Sequence, residues 1–289
     1  MMIVTVRVID SWSNYFAGQP FALPFGNLAR YDQRPAGPPF IATADNVMSR
    51  RFFDDQPFAV NQPVLLSPGP SHHIGKVLRM DAQEPVTLFN GRGGEWSAVV
   101  EEVGKKAVVV RPLAFHDIDR VPPRPVALGL PLIKGERMDY AIQKATEMGA
   151  AAIQVLATER TEVRLKAERE DKKVEHWRQV MIAACEQCGM NRLPRLEAVT
   201  PLRDFLAVAE GLKLIAHPGE AALPAQSLRA ASPITLLTGP EGGFSATELE
   251  AASAAGFQPF ALGERVLRAE TAPVALLGAL WALLSESCA

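Results

Sequence analysis

Ile234-Thr235-Leu236-Leu237-Thr238-Gly239-Pro240-Glu241-Gly242-Gly243-Phe244-Ser245 is the stretch on which the fold turns. A short apolar run without alternation suits a strand buried on both faces, as in a parallel sheet. The run stops at a glycine-rich loop, and Ser245 stands where a helix N-cap would be. Three glycines let the backbone approach a ligand closely or take positive φ, and free amides at a helix start favour polar or anionic groups. The plain alternative is a tight strand–helix turn. No Gly-Lys-Ser/Thr follows, so the loop is not a P-loop, and it lacks the G-x-G-x-x-G spacing of a dinucleotide fold.

Downstream, Leu262-Gly263-Glu264-Arg265-Val266-Leu267-Arg268-Ala269-Glu270-Thr271-Ala272 follows a strand-like segment near Phe257–Leu262. Ligands in open α/β sheets sit at the carboxyl ends of strands, where this segment falls. Arg265, Arg268 and Glu270 crowd beside an apolar helix, an odd place for solvated charges. A helix N-terminus with a favourable Glu270 and a surface Arg pair is the alternative.

Working outward, the pattern repeats. Strand-like Val126–Leu132, Ala151–Ala157, Lys213–Ala216 and Ile234–Leu237 alternate with helical Glu136–Met148, Glu168–Cys188, Ser245–Ala255 and Glu270–Leu284. Such alternation specifies an α/β domain, helices covering both faces of a parallel sheet. Val121-Pro122-Pro123-Arg124-Pro125 reads as a stiff linker before it. Residues 50 to about 118 look mostly β: Val64–Leu66, Val86–Phe89, Glu95–Val100 and Lys106–Pro112 are strand-like, with a turn at Asn90–Gly94. Ser71–Met80 reads as a short amphipathic helix with Ser71 at its N-cap. The domain expectation is therefore a β unit over 48–120 and an α/β unit over 121–289.

Residues 1–47 differ. Pro20, Pro24, Pro35, Pro38 and Pro39 interrupt every apolar stretch. A disordered extension and a start assigned too far upstream both explain this; the second, with Met48 as the natural start, is favoured, and no catalytic role is expected there.

The 289 residues are 48% hydrophobic and 21% charged, the balance of a globular protein with a substantial core. A net charge of −2 supplies no global field for nucleic acid, so any such contact needs a local basic patch. Three cysteines, Cys185, Cys188 and Cys288, without a secretory signal, argue for a reducing cytoplasm. Cys185-Glu-Gln-Cys188 has the spacing of half a zinc site with nothing to complete it, so no metal is expected. No apolar segment is long enough to span a bilayer.

The two loops resemble the cofactor loops of the small-subunit (16S) ribosomal RNA uracil-N3-methyltransferase family, members of the SPOUT class. The resemblance runs from Arg50 to the C-terminus, about 240 residues, through further ordered blocks. These are Arg50-Arg51-Phe52-Phe53, Ser71–Met80, Phe89–Gly94, Lys134-Gly135-Glu136-Arg137-Met138 with Gln143–Gly149, and Glu186–Pro194. Met190 stands where the family commonly has a basic residue. The resemblance implies a PUA-like β-barrel for RNA contact and a trefoil-knotted α/β methyltransferase domain. It also implies S-adenosyl-L-methionine as cofactor, 16S ribosomal RNA or the small subunit as partner, and a homodimer.

Site residues follow from the two loops and the resemblance together. Thr238, Gly239, Gly242, Gly243, Leu262, Gly263, Val266, Leu267, Thr271 and Ala272 form the expected cofactor cradle. His217 borders it at a third strand end, with a surface histidine in a turn as the alternative. Arg268 is expected to stabilise negative charge on the uracil carbonyls, with Glu241 or Glu270 as base or orienter. RNA contact is expected from Arg50, Arg51, His72, His73, Lys76, Arg79 and Arg92, with Lys76 and Arg79 on one helical face, and from Asn191 and Arg192. Rival readings are a methyltransferase acting on a ribose 2′-hydroxyl or another base, and a non-catalytic RNA-binding assembly factor.

Overall fold

The computed structural model describes residues 50–122, 124–161, 163, 167–220, 228 and 233–285; the expected extension over 1–47 and Cys288 lie outside them. The first described elements are β1 (Arg50–Phe53), β2 (Val64–Leu65), α1 (Pro68–His72) running into a π-helical turn (His73–Val77), β3 (Pro85–Phe89), β4 (Glu95–Val103) and β5 (Val108–His116). They form a five-stranded sheet in the order β1-β3-β4-β5-β2. β1 lies parallel to β3, and the other pairs are antiparallel. Alternate residues face one side: Val86 and Leu88, then Trp96, Ala98 and Val100, then Val108 and Val110. They pack with Phe52, Phe58, Leu66, Ile74 and Met80.

The helix expected over Ser71–Met80 starts earlier and ends earlier. Ser67 is its N-cap and Pro68 opens the first turn. Buried Asp54 fixes that start by accepting the Ser67 amide at 2.8 Å and its hydroxyl at 2.6 Å. Ser71 is therefore inside the helix, where its Oγ donates to the Leu66 carbonyl and accepts from the Val108 amide. Arg79 follows the π-helical turn at φ 51, so it does not share a helical face with Lys76.

The chain then supplies β6 (Val126–Pro131), α2 (Glu136–Glu147), β7 (Ala152–Ala157), α3 (Ala167–Cys188), β8 (Arg195–Pro201), α4 (Leu202–Val208), β9 (Leu212–Ala216), β10 (Ile234–Leu237), α5 (Ala246–Ala254), β11 (Gln258–Phe260) and α6 (Ala272–Ser285). The six strands run in the order β11-β9-β10-β6-β7-β8, every neighbouring pair parallel. Successive strand residues pack on opposite faces. Ile153, Val155, Leu214 and Leu236 meet α2, α3 and α6 on one side, with Met138, Trp177 and Leu277 among their partners. Leu156, Ile215 and Leu237 meet Phe205 of α4 and Ala252 of α5 on the other. An α/β fold with helices on both faces of a parallel sheet is the result. Edge strand β8 and the short α4 have no counterpart in the periodicity reading, because β8 is largely exposed and carries no apolar run.

Gly129, central in β6, shows how tightly this sheet is filled. A β-carbon there would lie 2.8 Å from Phe205, 2.9 Å from Leu237 and 3.0 Å from Leu156. Gly129→Val is expected to cost about 1–3 kcal/mol by overpacking, read as a lower urea midpoint at unchanged slope. A wild-type midpoint would show that these side chains yield freely.

The two sheets meet through a small cluster of Phe53, Phe89, Cys185 and Met190. Met190 is 6% exposed, so its side chain packs inward rather than toward a phosphate. Beside this cluster Glu95 binds two guanidiniums, Arg51 Nη1 at 2.6 Å and Arg120 Nη1 at 2.6 Å. Burial would raise the Glu95 pKa, but the hydrogen bonds from Arg120 and Arg51 prevail and hold it below the usual carboxylate range. Arg51 also donates to the Gly189 carbonyl and lies over the Phe89 ring. Burial pushes the Cys185 thiol up to about 12, which makes it an inert core group. Among the described residues no His/Cys/Asp/Glu group could hold a metal, and no helix is long and apolar enough to cross a membrane.

Candidate functional site

All strands of the second sheet point the same way, so their carboxyl ends share one edge, and a cavity of about 600 Å³ opens there. That volume lies within the roughly 300–1,000 Å³ usual for small-ligand sites. Its floor comes from the ends of β9, β10 and β11. Two hydrogen bonds set those ends: the His217 amide donates to the Phe260 carbonyl at 2.9 Å, and the Thr238 amide donates to the Gly129 carbonyl at 3.1 Å.

The loop after β10 is shaped by its own residues. Gly243 takes φ +68 and its amide donates to the Pro240 carbonyl, closing a tight turn that a side chain would strain. Gly239 lies so near Phe244 that a β-carbon would come within 3.2 Å of the ring. Ser245 then caps α5 in a full capping box: its Oγ accepts the Glu248 amide, and Glu248 accepts the Ser245 amide. The second Glu248 oxygen accepts the Glu159 amide at 2.8 Å, which ties the loop after β7 to the same helix.

Most of the expected cradle is brought together on this cavity: His217, Gly239, Gly243, Leu262, Gly263, Val266, Leu267 and Ala272, together with Glu241 and Arg268. Four expected residues, Thr238, Gly242, Glu270 and Thr271, are not part of its lining. Thr238 is fully buried, and its hydroxyl donates to the Gly129 carbonyl, closing β10 onto β6. Gly242 offers its carbonyl to Arg160 rather than to the cavity. The Thr271 amide donates to the Arg268 carbonyl, turning the chain into α6. Glu270 is 9% exposed and keeps one carboxylate oxygen without a hydrogen-bond partner in the described structure. His217 lines the wall with its Nδ1 3.7 Å from Glu220.

Arg137, Arg160 and Arg265, which are outside the site residues expected from sequence, also line the cavity. Arg137 pairs with Glu241 at 3.2 Å, and Arg160 donates to the Gly242 carbonyl at 3.2 Å. Their signal was positional: Arg137 follows the carboxyl end of β6 and Arg160 that of β7, where such sheets hold ligands.

The residues expected to meet RNA separate into three sets. Arg50, His72, Lys76, Arg79, Arg92 and Arg192 are exposed. Arg92 pairs with Asp55 at 2.7 Å and Arg192 with Asp119, and a bridge between Arg92 and Arg192 joins the hairpin to the segment after α3. His73 is half-buried, edge-on to Phe52. Arg51 is spent on Glu95, and Asn191 is fully buried, its amide donating to the Ile118 carbonyl. Those last two hold the sheets together instead of offering a free surface.

Comparison with known proteins agrees with this architecture. A family model described as an RNA methyltransferase domain matches residues 120–281, and one described as an RNA methyltransferase PUA domain matches 71–113. Ribosomal RNA small subunit methyltransferase E of Synechocystis is 31% identical over 241 residues, covering 78% of this chain and 75% of the relative. A methyltransferase from Legionella pneumophila, solved with bound S-adenosylmethionine, is 40% identical with a TM-score of 0.77, covering 81% of this chain and 97% of that one. The Neisseria gonorrhoeae ribosomal RNA small subunit methyltransferase E, solved with the same cofactor, is 32% identical with a TM-score of 0.76, covering 81% and 98%. With the cavity, its two glycine-bearing loops and the flanking β sheet in place, this chain belongs to the ribosomal RNA small subunit methyltransferase E family of RNA methyltransferases.

Proposed function

We propose that this chain transfers a methyl group from S-adenosylmethionine to N3 of one uracil in 16S ribosomal RNA. The observation that carries the reading is the cavity built from the loops after β10 and β11 in a chain of this family. The residues present fit the cofactor. Gly239 and Gly243 leave its walls free of side chains, Gly263 at φ +74 turns the third loop around it, and Leu262, Val266 and Leu267 supply apolar surface for an adenosyl group. When bound, S-adenosylmethionine supplies an electrophilic methyl on a sulfonium, which needs neither a metal nor a covalent enzyme intermediate.

The protein's share is alignment and proton handling. N3 lies on the Watson–Crick edge, so the uracil must be unpaired or flipped out to enter the cavity. Holding N3 in line with the methyl supplies much of the rate. Arg268, on the cavity wall, faces the negative charge that grows on the carbonyl oxygens as the N3 proton leaves. Of the two candidate carboxylates, Glu241 lines the cavity and Glu270 does not, so Glu241 takes the proton and Arg137 orients it. Glu270 sits behind Arg268 as part of the turn into α6.

The same reading assigns residues 48–120 to a PUA-like barrel that contacts RNA and 121–289 to a trefoil-knotted domain. In that domain α6 packs against the end of α2, where Trp281 donates to the Met148 carbonyl at 2.5 Å. The exposed Val266, on a loop at the cavity, supports completion of the site by a second copy in a homodimer.

The test is transfer of labelled methyl to undermodified small subunits, followed by mass analysis of the nucleosides. N3-methyluridine is expected. A methylated ribose or another methylated base would overturn the target, and cofactor binding without turnover on any RNA would favour an assembly factor.

A further inference from the structure

Four arginines line the cavity, Arg137, Arg160, Arg265 and Arg268, against one carboxylate, Glu241. The cofactor carries a sulfonium and an ammonium against one carboxylate and is itself a net cation. It does not call for this charge. Arg137 is answered by Glu241, and Arg268 is placed at the reacting base. Among the described residues, Arg160 and Arg265 have no acidic partner, and both are exposed. Their positions in the sheet differ. Arg160 follows β7 and Arg265 follows β11, and four inter-strand steps separate those strands. They reach the same cavity from different loops, Arg160 from the one after β7 and Arg265 from the one after β11. Arg160 is also held in place, since its Nη1 is bonded to the Gly242 carbonyl.

We infer that Arg160 and Arg265 form a phosphate-binding rim on the methyltransferase domain, gripping the RNA backbone on either side of the nucleotide inserted into the cavity. This deepens the proposed function and rests on it for the identity of the polyanion. An extruded nucleotide drags its flanking phosphates to the mouth, where two guanidiniums meet them with charge-assisted hydrogen bonds. The rim fixes where the strand enters; it does not read sequence.

The test uses the full chain with a fluorescein-labelled single-stranded fragment of 16S ribosomal RNA, binding being followed by anisotropy across a salt series. Arg160→Gln and Arg265→Gln are each expected to weaken binding about fivefold to tenfold. Each should lower the log–log salt slope by about 0.7, the value per neutralised phosphate on single strands. Arg160→Lys and Arg265→Lys retain the point charge and should keep most of the slope. Cofactor affinity, measured by calorimetry, should stay within about twofold in every variant. An unchanged slope in the double Gln variant overturns the rim, as does a loss of cofactor affinity as large as the loss for RNA. Methyl transfer by the unaltered chain is scored separately. A shifted slope without any turnover on small subunits would sink the proposed activity and leave the rim standing.

Discussion

Arg268→Ala is expected to lower methyl transfer at saturating substrates by more than about a hundredfold while leaving cofactor affinity within a few-fold. Arg268 lies on the wall of the cavity, and its carbonyl, not its side chain, makes the hydrogen bonds that turn the chain into α6. Truncating the side chain therefore removes the guanidinium without disturbing that turn. A hundredfold loss corresponds to about 2.7 kcal/mol of transition-state stabilisation, the scale seen when one preorganised donor is taken from a developing oxyanion. Single-turnover kinetics on undermodified small subunits would make the measurement. A rise in the KM for RNA at normal kcat would make Arg268 a binding group, and near-normal turnover would remove it from the chemistry. Glu241→Gln under the same assay separates the roles, since only a proton acceptor should show its rate recovering as pH rises.

Glu95→Ala should produce the largest stability loss, about 3 kcal/mol, because it leaves the guanidiniums of Arg51 and Arg120 facing one another without their shared carboxylate. Arg51 is 13% exposed and pays the greater part; Arg120 at 40% is partly rehydrated, which keeps the figure at the lower end. The pH dependence has a definite sign. Because the folded-state pKa of Glu95 is lowered, its contribution is complete above the ordinary glutamate value of about 4.3 and is lost as pH falls through the lower folded value. Glu186, which accepts the Phe53 amide at 3.0 Å across the same junction, has the opposite sign. Burial raises its pKa, so protonation above pH 4.3 relieves a cost. An acid titration of thermal stability should therefore fall steeply only below about pH 4, and Glu95→Gln should flatten that limb. A Glu95→Ala midpoint equal to that of the unaltered chain would show that the two arginines find other partners.

Much of this protein was legible in one dimension, and the reason is periodicity. Short, largely apolar runs such as Ile234–Leu237, bounded by turn residues, suit strands buried on both faces, and helical spacing between them favours a parallel α/β sheet. The loops that carry Gly239, Gly243, Leu262, Gly263 and Arg268 stand out in the sequence as glycine-bearing turns at strand ends, and the structure gathers these residues on one cavity. The exposed edge strand β8 left no such trace, since a strand half in solvent needs no apolar run. Tertiary structure alone decided the rest, wherever a side chain's task is set by a neighbour far away in sequence. Arg51 and Asn191 read as basic or polar surface. They are drawn inward because Glu95 and the Ile118 carbonyl offer partners 44 and 73 residues away. Arg160 carries no local pattern, and only the shared carboxyl edge of the sheet places it beside Gly242, 82 residues on. The sequence by itself determined most of the strands and helices and the two glycine-bearing loops at the strand ends. The packing of parallel strands determined which charges gather at their ends, because Coulomb and hydrogen-bond partners are chosen by distance in space.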